Sequence, residues 1–219
     1  MRTGRLLPAL VVGAALWVVL LCAVAAALSW AGWWTPWVGW GLALVLAGVS
    51  GWCVRAIPPV RAGVGPAAAL VLVVAASVLW VGATRSEQVL PRRDAASNLQ
   101  AAVSLATTGA RVVAVPPESV GGVAVLDLDG TTLASPAFYQ VGSSEDPAVQ
   151  PQFVVGPAVV SSLGWWLGGG PGAMLVPALA SGLALLALGL LVCRLVGPWW
   201  GAVASGLVAV VFPVVHTSR

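Results

Sequence analysis

Apolar residues fill five long runs of this chain, and the polar positions collect in one segment between the third run and the fourth. The runs cover about 6–28, 37–54, 66–82, 173–193 and 200–215. Helices of roughly 20 apolar residues cross a bilayer, so each run predicts a membrane span. All seven acidic residues lie between Glu87 and Asp146. Because carboxylates are costly in lipid, the pattern predicts an all-α polytopic membrane protein with one aqueous loop.

The loop, residues 85–171, carries patterns for several small elements. Asp94 suits the N-cap of a helix that Gly109 ends. Two alternating apolar runs, 111–115 and 122–128, predict strands. Asp129-Gly130 predicts a hairpin turn into 131–133.

The end of the loop, residues 151–167, is apolar but interrupted by Pro157. This stretch predicts an amphipathic or re-entrant helix lying on the membrane. We therefore divide the chain into three parts: 1–84 with three transmembrane helices, 85–171 as a mixed α/β loop, and 172–219 with two further helices. We expect the last part to be truncated.

Composition agrees with a membrane protein and excludes other classes. The sequence is 59% hydrophobic and 8% charged, with a mean hydropathy of +0.98. Its basic residues are scattered arginines with no run longer than Arg92-Arg93, so nucleic acid is not an expected partner. Cys22, Cys53 and Cys193 lie far apart inside apolar runs, without metal-ligand spacing, and indicate packing residues.

The arginines also predict the orientation in the cell membrane. The short links between apolar runs group Arg2, Arg5, Arg55 and Arg61 on one side, and Arg194 returns to that side. By the positive-inside rule this side is cytoplasmic. The N-terminus is then cytoplasmic and the loop is extracytoplasmic. Five tryptophans between positions 30 and 40 predict an aromatic belt at the membrane interface, and Trp165-Trp166 predicts a second anchor.

Asp127-Leu-Asp129-Gly130-Thr131 resembles the first motif of haloacid-dehalogenase-type phosphatases. In that motif the first Asp is the nucleophile and the second is an acid/base. The fold needs a full α/β domain and a later lysine, whereas this chain has no lysine. A turn with Asp-Gly at its corner explains the same letters and is the preferred interpretation.

Arg92-Arg93-Asp94 is the other candidate for chemistry. A carboxylate at a helix N-terminus beside two arginines stays ionised. It is suited to act as a general base on a hydroxyl or to ligate a divalent cation, while the arginines bind a phosphate. A simple N-cap with a solvated arginine pair explains the same residues.

Several segments together resemble GT-C membrane glycosyltransferases. The nearest branch is similar to the polyprenyl-phosphate-mannose protein mannosyltransferases of actinobacteria. The resemblance covers roughly 90–219 and rests on Arg93-Asp94-Ala-Ala-Ser-Asn-Leu-Gln, Phe138-Tyr139, Pro151-Gln152-Phe153-Val-Val-Gly-Pro157, Cys193-Arg194-Leu-Val-Gly-Pro-Trp-Trp200 and Phe212-Pro213-Val-Val-His-Thr-Ser218-Arg219.

The resemblance implies transfer of a sugar from a polyprenyl-phosphate donor on the outer face, with inversion at the anomeric carbon. It places Asp94 as the catalytic carboxylate, and Arg92 or Arg93 as a phosphate contact. Tyr139, Gln152 and His216 are candidates for binding the substrate, although packing explains the first two and an interfacial position explains His216. No metal ligand is assigned, the cofactor is unknown, and a divalent cation is left open. Such enzymes carry further spans, so we expect an N-terminal part or a short relative.

Two other classes stay open. A non-catalytic membrane protein whose outer loop docks a partner fits the same composition, and the identity of any protein partner is left open. Such a scaffold should tolerate Asn at position 94, whereas an enzyme needs the Asp94 carboxylate. Transport is a weaker third class, because no span holds an acid or a lysine to carry a coupled ion.

Overall fold

The computed structural model of the chain describes residues 3–58, 63–84 and 94–211. Within these ranges the chain is mostly helical, and four helices are long and apolar enough to cross a membrane. They are α1 (Leu6–Trp30), α2 (Pro36–Cys53), α3 (Val64–Ala83) and the later α6 (Val155–Leu195). These helices confirm the expectation of a polytopic membrane protein. The predicted boundaries of the first three spans agree with the structure to within a few residues.

The polar segment contains one longer helix, α4 (Asp94–Thr108). Gly109 follows it with a φ of 74°, a left-handed conformation that favours glycine. Its backbone N–H donates to the Leu105 carbonyl over 3.1 Å. The predicted helix from Asp94 with a glycine C-cap is therefore confirmed.

The polar segment also contains a small antiparallel sheet. Its strands are β1 (Val113–Ala114), β2 (Phe138–Gly142) and β3 (Pro147–Pro151), in the order β1-β3-β2. In register, Val113 lies opposite Val149, and Phe138 lies opposite Pro151. The strand predicted over 111–115 is thus present, but only two residues of it pair.

The predicted strand over 122–128 is wrong. Residues Val123–Leu126 form a short helix, α5, and Asp129-Gly130 begins no hairpin. Gly121 and Gly122 both have positive φ, 98° and 90°, and turn the chain immediately before α5. The hairpin instead joins β2 to β3, and Glu145 and Asp146 are exposed in its loop.

Helix α6 is broken in its middle. A straight helix of its 41 residues would be about 60 Å long, twice the roughly 30 Å of a bilayer core. Gly168 and Gly169 leave the helical conformation. A side-chain carbon on Gly164 would lie only 2.5 Å from the Gly172 carbonyl oxygen. Residues eight apart in a straight helix are about 12 Å apart, so the chain bends back sharply at Gly168 and Gly169, between segments 155–167 and 170–173.

This break confirms a separate helical segment before the fourth predicted span. Its position on the membrane surface stays a prediction. The fifth predicted span, 200–215, overlaps α7 (Pro198–Ala209), and its last residues, 212–215, lie outside the described residues.

The chain forms two compact units. Unit 1 comprises Met1–Leu20, Leu42–Glu87 and Met174–Arg219. There α3 packs along α7, around a core of Leu70, Leu186, Leu190 and Ala202. Unit 2 comprises Leu21–Gly41 and Gln88–Ala173, and it includes α4 and the sheet.

Contacts within unit 1 bring several helix ends together. Arg194 donates from Nη2 to the Pro58 carbonyl over 3.1 Å, and Gly65 lies beside the Trp199 ring. One end of this unit therefore contains four helix termini: the end of α2, the start of α3, the end of the α6 segment 170–195 and the start of α7. Arg55, just after α2, stacks on Trp52 with 5.5 Å to the ring centroid. The expected grouping of Arg55 with Arg194 agrees with these contacts.

Candidate functional site

The residues predicted for catalysis lie at the edge of what the structure describes. Asp94 begins α4, but its side chain lies outside the described part of the chain. Arg92, Arg93 and His216 also lie outside it. The proposed roles of these four residues therefore stay predictions.

The structure does describe Tyr139 and Gln152. Tyr139 lies in β2 opposite Gln150, and 56% of its surface is exposed. Gln152 follows β3, and its backbone N–H donates to the Ala137 carbonyl over 3.2 Å. Neither side chain lines the cleft of unit 2 described next.

Unit 2 contains a shallow, open cleft between α4 and the segment that follows β3. Its α4 wall is formed by Asn98, Ala101 and Leu105, which follow one another by three or four residues and so share a helix face. The remaining wall is formed by Arg111, Pro151, Phe153, Val154, Val155 and Ala158. The lining is therefore apolar except for the Asn98 amide, at one end of the α4 wall, and the Arg111 guanidinium.

Arg111 is the cation of this cleft, and its guanidinium is held on two sides. Nη2 donates to the Pro151 carbonyl over 3.3 Å and to the Phe153 carbonyl over 2.9 Å. The Trp30 ring lies against the guanidinium, with 5.4 Å to its centroid. Nη2 uses its two N–H groups on these carbonyls, and within the described part of the chain the other three guanidinium N–H groups have no hydrogen-bond acceptor. Among the described residues no carboxylate forms an ion pair with Arg111.

The backbone of Arg111 is also tied to the end of α1. Its N–H donates to the Ser29 carbonyl over 3.2 Å. Ser29 and Trp30 are the last residues of a helix long and apolar enough to cross a membrane. Trp30, Trp33 and Trp37 are all exposed, at 61%, 66% and 90%. Arg111 is therefore anchored beside the last turn of α1, next to a group of exposed tryptophans.

Two other tryptophans hold α4 in place rather than forming a belt. Trp34 is fully buried and donates from Nε1 to Ser162 Oγ over 2.8 Å. Trp166 stacks on Trp34, with centroids 5.7 Å apart, and donates to the Ala106 carbonyl over 2.9 Å. The expectation of an interfacial anchor is therefore wrong for Trp34, which is buried inside unit 2. Trp166 is half-buried against it, and together the two rings position the end of α4.

The phosphatase-like motif, Asp127 to Thr131, does not follow a strand, as the phosphatase fold requires. Asp127 directly follows the short helix α5, not a strand, and both Asp127 and Asp129 are exposed. The turn interpretation of these residues fits the structure better. Across residues 3–58, 63–84 and 94–211, no three His, Cys, Asp or Glu side chains are grouped to hold a metal ion.

Sequence reasoning missed Arg111, which it treated only as the start of a strand. The contacts of Arg111 come from Trp30 and from residues about 40 positions downstream, so no local pattern shows them. One local signal was present: Arg111 lies two residues after the glycine that ends α4 and precedes most of the acidic residues of the loop.

No protein-family model, curated protein or solved structure matches this chain.

Proposed function

We propose that the chain is a membrane glycosyltransferase, or the N-terminal part of one, that uses a polyprenyl-phosphate-linked sugar on the outer face of the membrane. The observation that supports this function best is the convergence of two segments on one cleft. α4, which begins at Asp94, and the segment around Phe153 were identified from sequence as parts of the same resemblance. They line opposite sides of the cleft in unit 2.

In this proposal Asp94 acts on the acceptor. Position 94 lies one helical turn before Asn98, so both positions are on the cleft-lining face of α4. The Asp94 carboxylate takes the proton of an acceptor hydroxyl, and the acceptor oxygen attacks the anomeric carbon. The bond from that carbon to the phosphate oxygen breaks, with inversion, and polyprenyl phosphate leaves.

The other proposed groups assist this step. Arg92 or Arg93 binds the leaving phosphate, because a guanidinium pairs with phosphate oxygens through two N–H groups. Tyr139, Gln152 and His216 are proposed contacts to the sugar. The orientation proposed above, with the N-terminus cytoplasmic and five spans, places the loop on the same side as the outer-leaflet donor.

The test is transfer of radiolabelled sugar from a panel of polyprenyl-phosphate sugars, in membranes that contain the full chain. We expect transfer, and we expect Asp94→Asn to lower it by roughly 10²–10⁴-fold, the usual contribution of a general base. Asp127→Asn is the matched control, since it removes an exposed carboxylate of the same loop and should leave transfer unchanged.

Two outcomes would contradict the proposal. Transfer that survives Asp94→Asn at equal expression would remove Asp94 from the site. Membranes that transfer no sugar from any donor would favour the alternative, in which the loop of a non-catalytic membrane protein docks a partner.

A further inference from the structure

We infer that the Arg111 end of the cleft in unit 2 binds the phosphate of an anionic glycerophospholipid from the surrounding bilayer. The inference rests on the geometry of Arg111 and holds whether or not the chain transfers sugars. Its occupant is a bulk lipid, and its role is to fasten the loop to the membrane surface.

The first argument is the electrostatic state of the guanidinium. Arg111 is half-buried and carries a permanent positive charge. Two carbonyls and an indole face hold it in one orientation, and three N–H groups have no acceptor among residues 3–58, 63–84 and 97–211. A partly desolvated cation is costly without an anion, and none of the described carboxylates pairs with it. A phosphate oxygen pair satisfies the remaining donors.

The second argument is the chemistry of the walls. Apart from Asn98 and Arg111, the cleft is lined by carbon-rich side chains, including Leu105, Phe153 and Val154. A free inorganic anion gains nothing from such walls, whereas an amphiphile places its phosphate on the cation and its glycerol and upper acyl carbons on the apolar surface.

The third argument is location. The backbone bond to Ser29 and the stacking on Trp30 join Arg111 to the last turn of α1. Exposed Trp30, Trp33 and Trp37 mark this level as the headgroup region. A lipid phosphate is the most abundant anion at that depth, and cationic side chains near the surface attract anionic lipids.

The experiment compares how much lipid the wild-type chain and the Arg111→Gln variant retain. Both full chains are placed in nanodiscs made of a mixture of phosphatidylcholine and phosphatidylglycerol. The bound lipid is counted by native mass spectrometry after release into mild detergent. We expect one retained phosphatidylglycerol, and a loss of affinity of about tenfold for Arg111→Gln, the usual effect of removing a charged hydrogen-bond partner. The Gln amide keeps a donor for the two carbonyls.

Arg55→Gln is the matched control. Arg55 also stacks on a tryptophan, at 5.5 Å, but it is exposed and does not line this cleft. Its loss should leave the retained lipid unchanged. Should Arg111→Gln fail to fold, Val154→Asp tests the same site, because Val154 lines the cleft while 76% exposed. The added carboxylate should repel the phosphate and abolish retention.

Three results would overturn the inference. One is equal retention by wild type and Arg111→Gln. The second is equal loss in Arg55→Gln, which would indicate general surface charge. The third is displacement of the lipid by inorganic phosphate, or a strong preference for polyprenyl phosphate over phosphatidylglycerol. That preference would assign Arg111 to the donor site of the proposed function, while a failed sugar-transfer assay would leave lipid retention unaffected.

Discussion

A few buried polar contacts determine how the loop attaches to the membrane helices in unit 2. Ser162 Oγ accepts from Trp34 Nε1 and donates to the Val159 carbonyl over 2.7 Å. Trp34 and Ser162 are both fully buried. A buried N–H that loses its acceptor costs about 1–3 kcal/mol, whereas removing both partners together costs less. This hydroxyl therefore links the tryptophan-rich turn after α1 to the α6 segment 155–167.

We predict that Ser162→Ala lowers the free energy of unfolding by about 1–3 kcal/mol, because Trp34 Nε1 is left without an acceptor. The measurement is unfolding in mixed micelles followed by circular dichroism. In a Trp34→Phe background the same substitution should cost less, since the donor is already gone. Ser119→Ala, at an exposed serine, should change stability by less than about 0.5 kcal/mol. Equal costs of Ser162→Ala in both backgrounds would show that the bond contributes nothing.

At the scale of elements, the membrane helices were predictable and the sheet was not. A bilayer leaves few structures for a run of about 20 apolar residues, so the first three predicted spans agree with α1, α2 and α3. The alternation of apolar and other residues over 122–128 is not restricted to one structure in this way, because the segment lies in the polar loop. Its apolar residues had no partner strand, because β1 pairs with β3, more than 30 residues away. Strand pairing depends on such distant contacts, and so does the environment of Arg111.

In the candidate site, too, features set by local sequence were predictable, whereas features set by distant contacts were not. Asp94 and the C-cap Gly109 follow local rules of helix termini, so the sequence predicted where α4 begins and ends. The cleft lies between α4 and residues about 50 positions later in the chain, and no local rule brings these together. Tyr139, which belongs to the stretches that carry the resemblance, does not line the cleft, whereas Phe153 from the same resemblance lines it.

Close packing between helices gives a prediction for the pair formed by α7 and the α6 segment 170–195. A side-chain carbon on Gly201 would collide with Cys193 Sγ and lie 2.5 Å from the Gly189 carbonyl oxygen. At Gly206 the nearest atom would be Val73 Cγ1 at 3.7 Å, an ordinary contact. Gly201→Ala should therefore destabilise the protein by about 1–3 kcal/mol through overpacking.

Gly206→Ala is the matched control for this crossing, because it lies in the same helix. There the gain in helix propensity, about 0.5–1 kcal/mol, should make the change neutral or stabilising. Both variants are compared by thermal stability in detergent. A Gly201→Ala protein as stable as Gly206→Ala would show that the two helices do not cross closely at this position.

At the scale of the whole molecule, the distribution of charge predicts the orientation in the membrane. The described residues of unit 1 contain no acid, since all seven acids of the sequence lie between Glu87 and Asp146. Arg55 and Arg194 lie at the end of unit 1 where the α2–α3 link meets α6. A concentration of arginines at short links favours the cytoplasmic side. We therefore predict that the acid-rich loop lies on the outer side.

The three native cysteines allow this orientation to be tested directly. Cys53, the last residue of α2, is exposed, whereas Cys193 is buried and Cys22 is half-buried. We predict that a membrane-impermeant maleimide applied to intact cells leaves Cys53 unlabelled and labels it after permeabilisation, because Cys53 lies two residues before Arg55 at the cytoplasmic end. Ser119→Cys in a Cys53→Ser background should react in intact cells, since Ser119 is an exposed loop residue. Labelling of Cys53 in intact cells together with protection of the Ser119→Cys variant would reverse the orientation and move the loop, with Asp94 and Arg111, to the cytoplasmic face.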